Sequence, residues 1–119
     1  MQIDGYVIPV LEDKRDEYLD LAQWFDQAMI DHGAIEVFEG WELEVPDGTV
    51  TDFRKAVAAQ DGERIVFSWI LWPDKETADR AHDAIHEDER FKAMTSFPFD
   101  GKRMIVGSFT PIVSKRGNQ

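Results

Sequence analysis

Eight consecutive residues, Ile65-Val66-Phe67-Ser68-Trp69-Ile70-Leu71-Trp72, set the tightest limit on what this chain can become. In a strand successive side chains point to opposite faces, so this run is apolar on both. It belongs in the middle of a sheet with something packed against each side. Asp61-Gly62, a favoured tight-turn pair, precedes it and Pro73 stops it. Ala56 to Gln60, Asp61-Gly62 and Glu63 to Trp72 together read as a hairpin.

The remaining elements follow from periodicity. Residues 3–10 read as a strand with Ile3 and Val7 on one face and Asp4, Tyr6, Ile8 and Val10 on the other. Asp13 is placed to cap a helix over about 13–32, with Asp16 and Glu17 in its first turn. Tyr18, Leu21, Ala22, Phe25 and Met29 form its apolar stripe, and Asp20, Gln23, Asp26, Gln27 and Asp31 fill the rest. Gly33 suits the left-handed residue that ends helices. Ala34 to about Glu42 is a second strand, with Ile35, Val37 and Trp41 set against Ala34 and Phe38, and Val45-Pro46-Asp47-Gly48 is a turn. Asp74 caps a second helix with the narrow stripe Ala78, Ala81, Ile85, continued after a break by Phe91 and Met94. Phe97-Pro98-Phe99-Asp100-Gly101 is a loop, with Gly101 expected at positive φ, and Lys102 to Val113 is the last strand. Residues 1–113 make one domain and 114–119 a mobile tail.

The order is β-α-β-β-α-β, an α+β arrangement. Right-handed crossovers turn it into an antiparallel sheet of order 4-1-3-2 with both helices on one face. Two helices leave the other face bare, yet strands 3–10 and 64–72 carry bulky apolar residues on both sides. A patch of that size on a monomer is rare, so the expected cover is a second copy, sheet on sheet, in a homodimer.

Charge narrows the partners. With 13 Lys+Arg against 24 Asp+Glu the net charge is −11, which opposes nucleic acid and anionic lipid. No stretch approaches the ~20 apolar residues of a membrane span. The first residues, Met1-Gln2-Ile3-Asp4-Gly5, lack the basic region and apolar run of a leader, so the expectation is a cytoplasmic protein with no membrane partner. Zero cysteines exclude disulfides, thiolate metal sites and a cysteine nucleophile.

Four motifs carry a family resemblance: His32-Gly33-Ala34; Val45-Pro46-Asp47-Gly48 with Val50-Thr51-Asp52-Phe53; Phe67-Ser68-Trp69-Ile70; and Pro98-Phe99-Asp100-Gly101-Lys102-Arg103-Met104-Ile105. Over residues 3 to about 113 the chain resembles the YbaA-like family of small bacterial proteins. Ser96-Phe97 departs from the Met expected before the Pro, and Ser108 stands in place of a second Gly. The resemblance implies a ferredoxin-like fold in its dimeric α+β barrel form, and brings no activity with it.

Candidate chemistry is sparse. Chain direction gathers Asp4, His32, Glu36 and Trp69 near one end of the sheet. There Asp4 would orient the His32 imidazole as a general acid or base, and Trp24, Trp41, Trp69 and Trp72 would wall an apolar pocket. The plainer reading makes His32 a helix-end residue and the tryptophans core or interface. At the opposite end Asp47, Asp52, Arg54, Asp100, Lys102 and Arg103 either hold an anionic ligand group through Lys102 and Arg103, or knit two loops together. His82 and His86 have the i, i+4 spacing of a shared metal, but a solvated acidic face gives the same pattern, and no metal is expected. No phosphate loop, dinucleotide fingerprint or serine elbow occurs, so no cofactor is expected either. Two functions remain open: binding of a small apolar or aromatic metabolite between sheet and helices, or a cofactor-free enzyme, monooxygenase- or isomerase-like, using His32 and Asp4.

Overall fold

A computed structural model describes residues 1–118. Strand β1 (Gln2–Leu11) leads through a 3₁₀ turn at Glu12–Lys14 into helix α1 (Arg15–Asp31), and β2 (Glu36–Trp41) follows. After the short helix α2 (Phe53–Ala56) come β3 (Glu63–Trp72), helices α3 (Lys75–Ile85) and α4 (Glu89–Lys92), and β4 (Ile105–Phe109). The sheet runs β2-β3-β1-β4, every pair antiparallel, which is the order 4-1-3-2 read from the other edge. The eight-residue apolar run lies inside β3, which is central, as its two apolar faces require.

Caps explain most element ends. The Asp74 carboxylate accepts from the Thr77 N–H at 2.7 Å and starts α3. That helix ends at Ile85 and gives way to a turn before α4, so the expected break falls at residues 86–88. Gly33 has φ +111° beyond the α1 C-cap, where a left-handed residue was expected. Asp13, in contrast, sits inside the 3₁₀ turn and caps nothing; Lys14 is the residue before α1, with no side-chain cap bond.

Two further expectations are corrected. Residues 56–60 are not a strand: Asp52 accepts from the Lys55 N–H at 2.7 Å and nucleates α2, and Ala58 with φ +49° then turns the chain. The tight turn stands at Asp61-Gly62 as expected, Gly62 having φ +82° and the Glu63 N–H donating to the Gln60 carbonyl at 3.1 Å. Gly101 is not at positive φ, and a Cβ built there meets nothing within 4 Å.

The helices pack on the face carrying Tyr6, Ile8, Val10, Val66, Ile70 and Trp72 and build two clusters. One joins Met29, Ile70, Trp72, Ala78, Ala81 and Ile85; the other joins Ile8, Val10, Tyr18, Ala22 and Val66. Small residues at 78 and 81 let α3 lie close over Trp72, which is fully buried. The opposite face is covered in part by the segment holding α2, where Phe53 meets Phe67 edge-on with centroids 5.9 Å apart. Beyond it Phe38, Phe67, Ile105 and Phe109 stay exposed.

Candidate functional site

Between the two core clusters the helices stand off the sheet. The space is a cavity of about 330 Å³, partly open to solvent, with Leu21 and Phe25 of α1 on one side and Ile8 and Ile70 on the sheet. Phe91, Phe97, Phe99 and Met104 close it from the C-terminal segment. Leu21 and Phe25 lie on the apolar stripe of α1 yet are only half-buried, because the stripe faces this space and not the sheet itself.

The polar groups of the cavity come from a row across the sheet and one helix position. Glu39 pairs with Ser68, and Ser68 with Tyr6, so the three side chains share the helix-facing side of β2, β3 and β1. Above them Tyr18 donates its hydroxyl to Glu39 Oε1 at 2.6 Å, and Asp26 lies one helical turn beyond Ala22. Burial first, and then the facing Glu39 by hydrogen bond and by charge, push the Asp26 carboxyl up to about 9. Asp26 therefore holds its proton at neutral pH. Burial likewise raises Tyr18 and Tyr6 above the usual phenol range, with Glu39 the main charge acting on Tyr18 and Asp4 on Tyr6. A second groove of about 250 Å³ lies behind the same Tyr18, Asp26 and Glu39, with Arg15 stacked on Trp41 in it. The carboxyl pair thus stands between two spaces.

A pocket between sheet and helices is expected from the sequence, but Asp26 and Glu39 are not among the residues singled out there. Asp26 was assigned to the polar side of α1, although Ala22, Asp26 and Met29 are spaced i, i+4, i+7 and so share a face. Glu39 shares the parity of Val37 and Trp41, which point inward. Those two spacings were the available signal.

The residues singled out from sequence are distributed differently. Asp4 is buried and its carboxylate is fully engaged: Trp72 Nε1 donates at 3.0 Å, the Ser108 hydroxyl at 2.7 Å and Gln2 Nε2 at 2.9 Å. The imidazole that approaches it is that of His82, at 3.5 Å, while His32 lies exposed at the C-cap of α1. Glu36 and Trp69 do meet, Trp69 Nε1 donating at 3.3 Å, but on the other face of the sheet. Asp4 pairs with Ile70, so the neighbouring Trp69 must point away from it. None of the four tryptophans lines the cavity.

At the far end Arg103 is committed within the protein. Its guanidinium holds Glu63 through two bonds of 2.8 and 2.6 Å, Asp100 at 2.9 Å, and the Val57 and Ala58 carbonyls. Asp100 also accepts from the Lys102 N–H at 3.0 Å, Asp52 from the Gly48 N–H at 2.9 Å, and Arg54 reaches Glu42 and the Glu63 carbonyl. These bonds tie the α2 segment to the start of β3 and the turn before β4. The Lys102 side chain is left exposed. On α3, His82 packs against Trp72 and His86 against Phe91, and among the described residues no three His, Asp or Glu side chains converge as metal ligands.

Comparison with known proteins places this geometry. The model of a family described as "Protein of unknown function (DUF1428)" matches residues 1–101. The uncharacterized protein YbaA of Escherichia coli (strain K12) is 45% identical over 114 residues, covering 95% of this chain and 97% of that protein, and YbaA of Shigella flexneri matches to the same extent. Among solved structures, a dimeric ferredoxin-like protein from an uncultured marine organism superposes with a TM-score of 0.62 at 8% identity, covering 98% of this chain and 100% of that one. An uncharacterized NIPSNAP domain protein from Burkholderia xenovorans does so with 0.57 at 16% identity, covering 98% and 100%. At such identities the likeness concerns the fold: an α+β ferredoxin-like fold with a four-stranded antiparallel sheet.

Proposed function

The chain belongs to the DUF1428 family of proteins of unknown function, and we propose that it binds a small, largely apolar molecule in the cavity between sheet and helices. The observation that carries this reading is the cavity itself. Its volume of about 330 Å³ falls in the range of small-molecule sites, and its walls are aromatic and aliphatic with a few polar groups converging from Tyr6, Tyr18, Asp26, Glu39 and Ser68. An unfilled apolar space of this size lowers stability, since lining atoms forgo packing contacts. A ligand that fills it restores them.

The test is a melting-temperature screen with single-ring compounds, run on the wild type and on Leu21→Trp, where the indole occupies the space. A bound compound raises the wild-type melting temperature with the logarithm of one plus its concentration over its Kd and leaves the variant unmoved. Equal shifts in both proteins, or none, would remove the cavity as the site.

The active form in this proposal is a homodimer, two copies meeting through the sheet face that bears Phe38, Phe67 and Phe109 and so forming an α+β barrel. The exposed apolar side chains on that face support it, and so does the fold shared with a dimeric ferredoxin-like protein. The enzyme alternative, proton transfer without a cofactor, is supported by the carboxyl pair in the cavity: Asp26 supplies a proton and Glu39 accepts one.

A further inference from the structure

The chemistry of the cavity narrows the ligand further, on the premise that the cavity is a binding site. Its apolar lining is aromatic on several sides, with Phe25, Phe91, Phe97 and Phe99 around the two tyrosines. Its charge is of one sign. Asp26 and Glu39 line it, and no Lys, Arg or His does so among the described residues. Arg15, in the groove behind the pair, is stacked on Trp41 at 5.4 Å. Ser68, 3% exposed, lines the same space opposite Tyr6.

We infer that the ligand is a small aromatic amine in its ammonium form, its charge lodged against Asp26 and Glu39 and its ring among the phenylalanines. An anionic ligand would meet the carboxyl pair with no cation to offset it. A neutral one offers the two carboxyls no opposite charge. An ammonium group brings up to three N–H donors, which the two carboxylates and the Tyr6 and Ser68 oxygens can accept, and ring faces attract it.

Proton linkage follows from the same geometry. The groups facing Asp26 are Glu39 of β2, Tyr18 of α1 and Tyr6 of β1. Burial and the facing Glu39 favour the protonated Asp26 carboxyl in the empty cavity. An entering ammonium favours the carboxylate instead, so up to one proton leaves to solvent as the amine binds, and affinity rises with pH.

The probes are 2-phenylethylamine and its neutral isostere 2-phenylethanol, titrated calorimetrically into the full chain between pH 6 and pH 8.5 in two buffers of different ionisation heat. The amine is expected to bind at least about 10-fold more tightly than the alcohol at pH 8, to gain up to about 10-fold per pH unit, and to release up to one proton. The alcohol shows no such dependence. In Asp26→Asn, and independently in Glu39→Gln, the amine's advantage over the alcohol falls to within about 3-fold. Equal binding of amine and alcohol by the wild type overturns this inference and leaves the apolar cavity standing. Binding of neither overturns both. An amine preference that persists in both variants places the cation elsewhere and overturns the assignment to this pair.

Discussion

The Trp72 indole N–H donates to the Asp4 carboxylate at 3.0 Å, joining residues 68 apart in sequence at the outer end of the paired strands β1 and β3. Asp4 is 2% exposed, and its carboxyl group accepts from Trp72, Ser108 of β4 and Gln2, with the His82 imidazole of α3 3.5 Å away. One carboxylate therefore fastens two neighbouring strands and the helix above them. Asp4→Ala, which strands three donors and opens a hole, is expected to cost about 3–4 kcal/mol. Asp4→Asn keeps an acceptor for Trp72 or Ser108 and should cost about half as much. Urea denaturation reads both, and equal losses would mean that packing, not hydrogen bonding, fixes this corner.

Two glycines separate backbone demand from mere presence in a turn. Gly33 has φ +111°, and a Cβ there would lie 2.6 Å from the Thr77 methyl of α3. Gly33→Ala is expected to destabilise by about 1–3 kcal/mol, combining strain at positive φ with a clash against a packed helix. Gly101 has an ordinary backbone and open space around it, so Gly101→Ala should stay within about 0.5 kcal/mol of the wild type. Thermal melts of the two variants decide it; a large loss at Gly101 would show that its loop needs glycine for a reason other than φ.

The sheet was legible because its signals are local and redundant. An apolar run between Asp61-Gly62 and Pro73 leaves one place for β3, and alternation in 3–10 gives β1 beside it. Asp74 announced α3 by capping chemistry that needs no tertiary context. The segment 56–60 misleads because alanines and a valine are compatible with several states, and the Asp52 cap together with Ala58 at positive φ settles it as helix and turn. The site was less legible for a different reason. Chain direction shows which end of a sheet a residue occupies, but the partner across a layer depends on helix azimuth. So Asp4 finds His82 beside it, and Asp26, set among the polar residues of α1, turns toward Glu39.

Asp26 also predicts the shape of the pH–stability curve. Its folded pKa, about 9, lies above the ordinary value of 3.8, so the folded state keeps a proton that the unfolded chain has released. Stability from this group is complete below about pH 4 and declines as pH rises toward 9. Glu63, held below its usual range chiefly by Arg103, acts in the opposite sense and is lost as pH falls below the carboxylate range. Asp26→Asn, neutral at every pH, should be more stable than the wild type by about 1–2 kcal/mol at pH 8.5 and should gain little or nothing at pH 5. Denaturation midpoints at the two pH values test this, and a gain that does not vary with pH would show that Asp26 is ionised throughout.

The uncovered sheet face yields the last prediction. Phe38 on β2, Phe67 on β3 and Phe109 on β4 span its width, and they are 52%, 44% and 62% exposed. Together with Ile105 they form one apolar surface, next to the part already covered by Phe53. If a second copy meets this surface, a charge at its centre is buried without a partner in the dimer but remains in water in the monomer. Phe67→Glu and Phe109→Glu are therefore expected to weaken association by about 2–4 kcal/mol, a shift of roughly 30- to 1,000-fold in the dimer dissociation constant, with the monomer still folded. Light scattering over a dilution series, with circular dichroism on the same samples, separates the two effects. A wild type that is monomeric at tens of micromolar, or variants that dimerise as tightly as the wild type, would show that the two copies do not meet through this face.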